Sequence, residues 1–88
     1  METRVAVMSI IVEQPGAVER LNTVLHEYSP YVIGRMGIPY RKRNVSIISV
    51  ALDAPMNTIS AMAGKIGSIS GISVKTAYSS VIGYEDAD

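Results

Sequence analysis

Val12-Glu13-Gln14-Pro15 and Leu52-Asp53-Ala54-Pro55 repeat one pattern, apolar–acid–any–proline, 40 positions apart (52 minus 12) in a chain of 88 residues. An apolar stripe with helical spacing follows each proline. The first stripe is Val18, Leu21, Leu25 and Tyr28, and the second is Ile59, Met62, Ile66 and Ile69. The repetition predicts two similar β–turn–α units that fold together.

The rest of the chain completes the two units. Strand signals cover residues 5–12, 31–39, 45–52 and 72–82. A helix that begins near each proline follows the first and third strands, and the polar turn 41–44 joins the second strand to the third. We expect the first helix to end at about Tyr28 and the second to reach about Ile66, loosened around Gly64 and Gly67. Gly71 is expected at a turn or a helix C-cap.

The order β–α–β–β–α–β predicts an α+β fold of the ferredoxin-like class. Right-handed crossovers place both helices on one face of a four-stranded antiparallel sheet. The length allows a single domain. We assign residues 1–82 to this domain and residues 83–88 to a polar C-terminal tail that frays.

Composition excludes several classes of function. Eight basic and eight acidic residues balance, so the chain lacks the positive field that direct binding of nucleic acid or of an acidic membrane requires. Without cysteine there is no disulfide, thiolate nucleophile or thiolate metal site. The N-terminal residues show no signal-peptide pattern and no apolar run is long enough to span a membrane. We expect a cytoplasmic protein, with no cofactor.

The central strands are apolar on both faces, which indicates that both faces of the sheet are buried. Val5, Val7 and Ile11 alternate with Ala6, Met8, Ile10 and Val12 in the first strand, and the third strand shows the same arrangement. Two helices cover only one face. We therefore expect a homo-oligomer, a dimer or a tetramer, in which the other face packs against a second copy.

Most polar motifs are interpreted as structural features without a functional role. His26 has no second His or Cys to share a metal and is predicted at the edge of the first helix, so no metal site is assigned. The basic cluster 41–43 is interpreted as a solvated turn, and Gly64-Lys65 lacks the other residues of a phosphate loop.

No catalytic residue is assigned, because no Ser or Thr has a nearby base. Glu13 and Asp53 end matching strands and are expected at the same edge of the sheet. There they would either stabilise helix N-termini or form a carboxylate pair that shares a proton or a cation.

The segment from Tyr31 to Tyr40 is unusual for a strand, because it contains two glycines, a proline and Arg35. We expect a bulge, a subunit contact or a ligand in this segment. Arg35 carries a planar guanidinium that suits a carboxylate or a phosphate. It is therefore a candidate effector-binding residue.

Two resemblances extend this interpretation. The stretch 13–18, Glu-Gln-Pro-Gly-Ala-Val, resembles the first loop and helix of ACT domains, and 71–74 resembles their helix-to-strand entry. Residues 31–40, 46–48, 52–55, Gly64-Lys65 and 71–76 are similar to the iron-only hydrogenase system regulators. Members of that family are small stand-alone ACT-like proteins, grouped with the C-terminal domain of nickel-responsive repressors.

The resemblance implies a non-enzymatic regulator that binds a small effector or a protein of the hydrogenase system. Since ACT domains bind effectors at the first strand–helix loop, it nominates Glu13, Gln14, Pro15 and Gly16. Nickel-responsive repressors use several histidines and a cysteine, and they carry a DNA-binding element before the domain. This chain has one His and no Cys, so nickel sensing is not carried over, and its first strand is expected to begin almost at Met1, so direct DNA binding is not carried over either. The alternatives are a metal-responsive transcriptional regulator and a small ferredoxin-like enzyme.

Overall fold

A computed structural model describes residues 1–84 of the chain. Its main elements are β1 (Glu2–Val12), α1 (Val18–Glu27), β2 (Val32–Tyr40), β3 (Val45–Ala54), α2 (Met56–Gly67) and β4 (Ile72–Tyr84). Short 3-10 turns at Pro15–Ala17, Ser29–Tyr31 and Arg41–Arg43 precede α1, β2 and β3. None of the helices within residues 1–84 is long and apolar enough to cross a membrane.

The four strands form one antiparallel sheet in the order β2-β3-β1-β4. Its centre is β1, which pairs with β3 on one side and β4 on the other, whereas β2 and β4 are edge strands. This is the predicted ferredoxin-like α+β architecture. The two halves of the sheet are held together by long-range pairs, such as Val12 with Ser46 and with Ile72.

The core lies between the sheet and the two helices. Even-numbered residues of β1 and β3 meet both helices there, and burying each large side chain stabilises the fold by about 1.5–3 kcal/mol. The buried hydrophobic residues are Ala6, Met8, Ile10, Val12, Ala17, Leu21, Leu25, Ile48, Val50, Leu52, Ala54, Ile59, Met62 and Ile66. Tyr28, Val18 and Ile69 of the two predicted stripes pack against this cluster and are only partly buried.

Two local expectations need adjustment. The second helix is not loosened at Gly64, because α2 remains helical to Gly67. The last strand reaches Tyr84, where Gly83 and Tyr84 pair with Thr3 and Glu2, so two residues assigned to the tail belong to the sheet. The rest of that predicted tail, residues 85–88, lies outside the described residues.

Of the three possibilities for the second strand, a bulge is present. The register of β2 against β3 shifts between Val32 and Gly34, so that Gly34 lies opposite Ala51 and Arg35 opposite Val50. Gly71 adopts a φ of +86° at the turn into β4, as its sequence position predicts.

Candidate functional site

The first strand–helix loop is attached to the turn before β4. The Glu13 backbone N–H donates a hydrogen bond to the Gly71 carbonyl at 2.7 Å. The Gln14 side chain lies directly over Gly71, where an added Cβ would be 2.7 Å from Gln14 Cγ. Two of the residues nominated for effector binding, Glu13 and Gln14, therefore contact this turn of their own chain.

Pro15 and Gly16 form the 3-10 turn that leads into α1. The Ala17 N–H donates to the Gln14 carbonyl at 3.0 Å, which closes this turn. Gly16 has no left-handed φ, and an added Cβ there would meet nothing within 4 Å. Neither backbone conformation nor packing requires glycine at this position. Whether Gly16 contacts a ligand remains a prediction.

Pro15 also borders a small cleft at the tip of the β2–β3 hairpin, which we call the loop cleft. The cleft has a volume of about 150 Å³ and is lined by Val12, Pro15, Val18, Pro39, Tyr40 and Arg41, among others. It is the part of the predicted loop site that could receive a ligand. Arg41 and Tyr40 come from the basic turn that the sequence suggested was only solvated.

Arg35 lies apart from the loop. It pairs with Val50, whereas Pro39 near the loop cleft pairs with Ser46, four strand positions away and thus about 13 Å along the sheet. The Arg35 Nη2 donates a hydrogen bond to the Asn22 Oδ1 of α1 at 3.3 Å. The five nominated residues thus do not form one site: Glu13, Gln14, Pro15 and Gly16 share the loop, and Arg35 belongs to another region.

That other region is a cleft between α1 and β2, which we call the α1–β2 cleft. It has a volume of about 310 Å³ and is lined by Asn22, Leu25, His26, Ser29, Val32, Arg35 and Val50. Leu25 and Val50 are buried and form an apolar floor, whereas the four polar side chains are exposed. Sequence reasoning placed His26 at the helix edge but missed Asn22 and Ser29, because their proximity to Arg35 depends on how α1 packs on the sheet.

The two acids that end matching strands do not lie at the same edge of the sheet, so this expectation is wrong. In the antiparallel pairing, Val12 faces Ser46 and Arg4 faces Ala54, so β1 and β3 end at opposite ends of the sheet. Glu13 and Asp53 therefore cannot share a proton or a cation within one chain. Among residues 1–84, no three His, Asp or Glu side chains are grouped so as to hold a metal ion.

An ion pair and a cation–π contact link the ends of the two helices. Lys65 Nζ lies 2.6 Å from Glu27 Oε2 and 5.2 Å from the centre of the Tyr28 ring. The hydrogen bond to Glu27, followed by that to Tyr28, raises the pKa of Lys65 above its usual value of 10.5. Because the pair is solvent-exposed, its contribution to stability is small.

The sheet face opposite the helices carries a row of exposed apolar side chains, which we call the open face. Strand register places Val7 and Ile11 of β1, Ile47 of β3, and Met36 and Ile38 of β2 on this face. They are between 38% and 64% exposed. The apolar second face predicted from the sequence is therefore present and uncovered within the chain.

Comparison with known proteins agrees with this architecture. The uncharacterized protein TM1266 from Thermotoga maritima superposes with a TM-score of 0.83 and 36% identity, covering 86% of this chain and 96% of that one. A formyltetrahydrofolate deformylase from Pseudomonas putida KT2440 gives a TM-score of 0.59 at 15% identity, covering 82% of this chain and 28% of the deformylase. This second likeness shows the fold alone. Among curated proteins the comparison found no match.

The family comparison agrees with the structural one. The model described as "TM1266-like: Iron-only hydrogenase system regulator, putative" matches residues 4–76, which span β1 to the middle of β4. The match includes both strand–helix turns, the bulged β2 and both clefts described above. The chain therefore belongs to the TM1266-like family of iron-only hydrogenase system regulators.

Proposed function

We propose that this protein is a cytoplasmic, non-enzymatic regulatory module of an iron-only hydrogenase system, which acts by self-association and by binding a small effector or a partner protein. The observation that carries the proposal is the open face. A face with half-exposed apolar side chains on three strands is typical of a protein–protein contact surface.

A second copy of the chain is the occupant that best fits the open face. Register places one acidic and one basic residue there, Asp53 beside Val5 and Lys75 beside Ser9. A two-fold axis brings the same surface patch of each copy together, so opposite charges on different parts of that patch can pair across the interface. A face without excess charge also suits self-association better than a strongly charged partner.

The oligomeric state tests this part of the proposal. We expect sedimentation equilibrium to give a dimer or a tetramer, and Ile47→Lys to give a folded monomer because it places a charge between Ile11 and Ile38 on the open face. Met56→Lys is the matched control, since Met56 is 40% exposed at the start of α2, away from the open face. A strictly monomeric wild-type protein at micromolar concentration would refute self-association.

We place the small effector in the loop cleft, which includes Pro15 of the four nominated loop residues. Its lining combines the apolar Pro15 and Val18 with the phenol of Tyr40 and the guanidinium of Arg41. Apolar walls with a few polar groups are typical of small-molecule sites. A thermal-shift screen of amino acids and nucleotides, repeated with Arg41→Ala, tests this site. A ligand at 100 times its dissociation constant adds about 2.7 kcal/mol of stability. A ligand that acts equally on both proteins does not use this cleft.

The regulatory role itself is tested in a host that contains an iron-only hydrogenase. Deleting the gene should change hydrogenase level or activity, and Ile47→Lys should reproduce the deletion if self-association is required. The protein carries zero formal charge, so regulation through a partner protein fits better than direct DNA contact. An operator DNA fragment shifted by the purified protein alone would contradict that view.

A further inference from the structure

We propose that the α1–β2 cleft binds a small carboxylic acid with a short apolar body, held by Arg35 at its carboxylate and by Val32 and Leu25 at its apolar end. This site lies apart from the loop cleft and from the open face. It was suggested neither by the turn motifs nor by the apolar pattern of the sheet.

The anion-binding side of the cleft is formed by donors from two elements. Arg35 has five N–H donors, and one Nη of its guanidinium is held by Asn22 at 3.3 Å. This contact from α1 restrains the side chain and leaves the rest of the guanidinium for a ligand. A carboxylate accepts two parallel hydrogen bonds from such a group, which lysine cannot reproduce.

The remaining polar lining strengthens the preference for an anion. His26 and Ser29, on α1 and on the 3-10 turn that follows it, can each donate a hydrogen bond toward the cleft. No Asp or Glu is among the lining residues. A positively charged ligand would find no carboxylate to pair with.

The floor of the cleft determines that the rest of the ligand is apolar. Val32 is partly exposed and Leu25 is 4% exposed, so a ligand meets apolar surface on these two side chains, whereas Val50 is fully buried. A volume of about 310 Å³ is at the small end of ligand pockets. A carboxylate attached to a short branched hydrocarbon satisfies the guanidinium and covers this floor. A free amino acid fits less well, because its ammonium group would lie near Arg35 without an acidic partner.

Titration of the wild-type protein with four probes tests the proposal by NMR chemical-shift mapping. Isovalerate should bind in the millimolar range and shift the amides of residues 22–35. Acetate, which lacks the apolar body, and isopentanol, which lacks the charge, should each bind at least about tenfold more weakly. Valine should also bind more weakly than isovalerate. Equal binding of isovalerate and isopentanol would overturn the proposal.

Two arginine variants complete the test. Arg35→Lys and Arg35→Ala should both weaken isovalerate binding at least about tenfold, since even the lysine variant lacks the planar guanidinium. Arg20→Ala, which removes an exposed arginine of α1 that lines neither cleft, should leave it unchanged. Arg35 is exposed on an edge strand, and amide spectra will show whether each variant is folded. Unchanged affinity in Arg35→Ala refutes the site, and so does tighter binding of inorganic phosphate than of isovalerate.

Discussion

The two strand–helix turns arise from the same sequence pattern but are built differently. After β1, the chain passes through the 3-10 turn Pro15–Ala17 before α1 begins, and Gln14 packs on Gly71. After β3, Pro55 directly precedes α2, and its carbonyl accepts hydrogen bonds from Thr58 and Ile59 at 3.0 and 3.1 Å. The first turn is a connection between the two units, whereas the second is a compact helix start.

The difference extends into the core. Ala54, which occupies the place of Gln14 in the second turn, is 1% exposed, whereas Gln14 is exposed. Ile59 is fully buried, whereas its counterpart Val18 is only partly buried beside the loop cleft. One repeated pattern therefore yields a tightly packed unit and a unit that borders a small cleft.

The first residue of each helical stripe should show the largest difference between the two units in the stability lost on truncation. Ile59→Ala should destabilise the protein by about 2–5 kcal/mol, because it leaves a cavity in a fully buried site. Val18→Ala should cost about 1 kcal/mol or less, since its side chain is partly in water already. Urea denaturation measures both. Equal losses would show that the two helices are packed alike at their starts.

Exchanging Gln14 and Ala54, the third residues of the two repeated patterns, should give the next largest difference in the free energy of unfolding. Ala54→Gln should cost about 1–3 kcal/mol, because a longer polar side chain must fit at a buried position. Gln14→Ala should change the free energy of unfolding by less than about 0.5 kcal/mol, as at most surface positions. If Gln14→Ala proves the more costly, the contact with Gly71 matters more than its exposure suggests.

Glycine should be required in the turn before β4, on which Gln14 packs, but not within the first strand–helix turn. Gly71→Ala should cost about 1–3 kcal/mol, because a side chain at φ +86° is strained and its Cβ meets Gln14. Gly16→Ala is the matched control and should be neutral or stabilising by up to about 1 kcal/mol, since its Cβ meets open space. The double variant Gln14→Ala/Gly71→Ala should recover part of the loss. A Gly16→Ala loss as large as that of Gly71→Ala would contradict this difference.

The ion pair between the units should have the smallest effect. Lys65 has a raised pKa in the folded protein, so its stabilising contribution is present below its usual value of 10.5 and is lost as pH rises through the raised value. A double-mutant cycle of Lys65→Gln and Glu27→Gln should show weak coupling at pH 7 that disappears in strong alkali. A coupling energy that increases with pH would contradict the expected direction of this pH dependence.

Periodicity in the sequence predicted those features that depend on a single helix or strand. The spacing of Leu21, Leu25, Met62 and Ile66 identified their burial, and alternation in β1 identified a second apolar face. Pairing direction was harder. Glu13 and Asp53 look equivalent along the chain, yet antiparallel pairing separates them by the length of the sheet.

The α1–β2 cleft was beyond sequence reasoning for a related reason. Arg35 was recognised as a candidate, but its contact with Asn22 joins an exposed helix position to an edge strand 13 positions later. Neither position belongs to a periodic pattern that would predict this contact. A polar residue one turn before His26 on the same helix was the available clue, and it acquires meaning only once α1 is placed over β2.

The central position of β1 has a consequence for how the protein folds. The ribosome makes this strand first, yet Val12 pairs with Ser46 and Ile72, which follow 34 and 60 positions later (46 minus 12 and 72 minus 12). Contacts this distant in sequence slow folding, because long loops must close before they form. Until then, a strand that is apolar on both sides has neither neighbour and is exposed to other nascent chains. Low expression temperature or a chaperone that holds this segment should therefore raise the soluble yield.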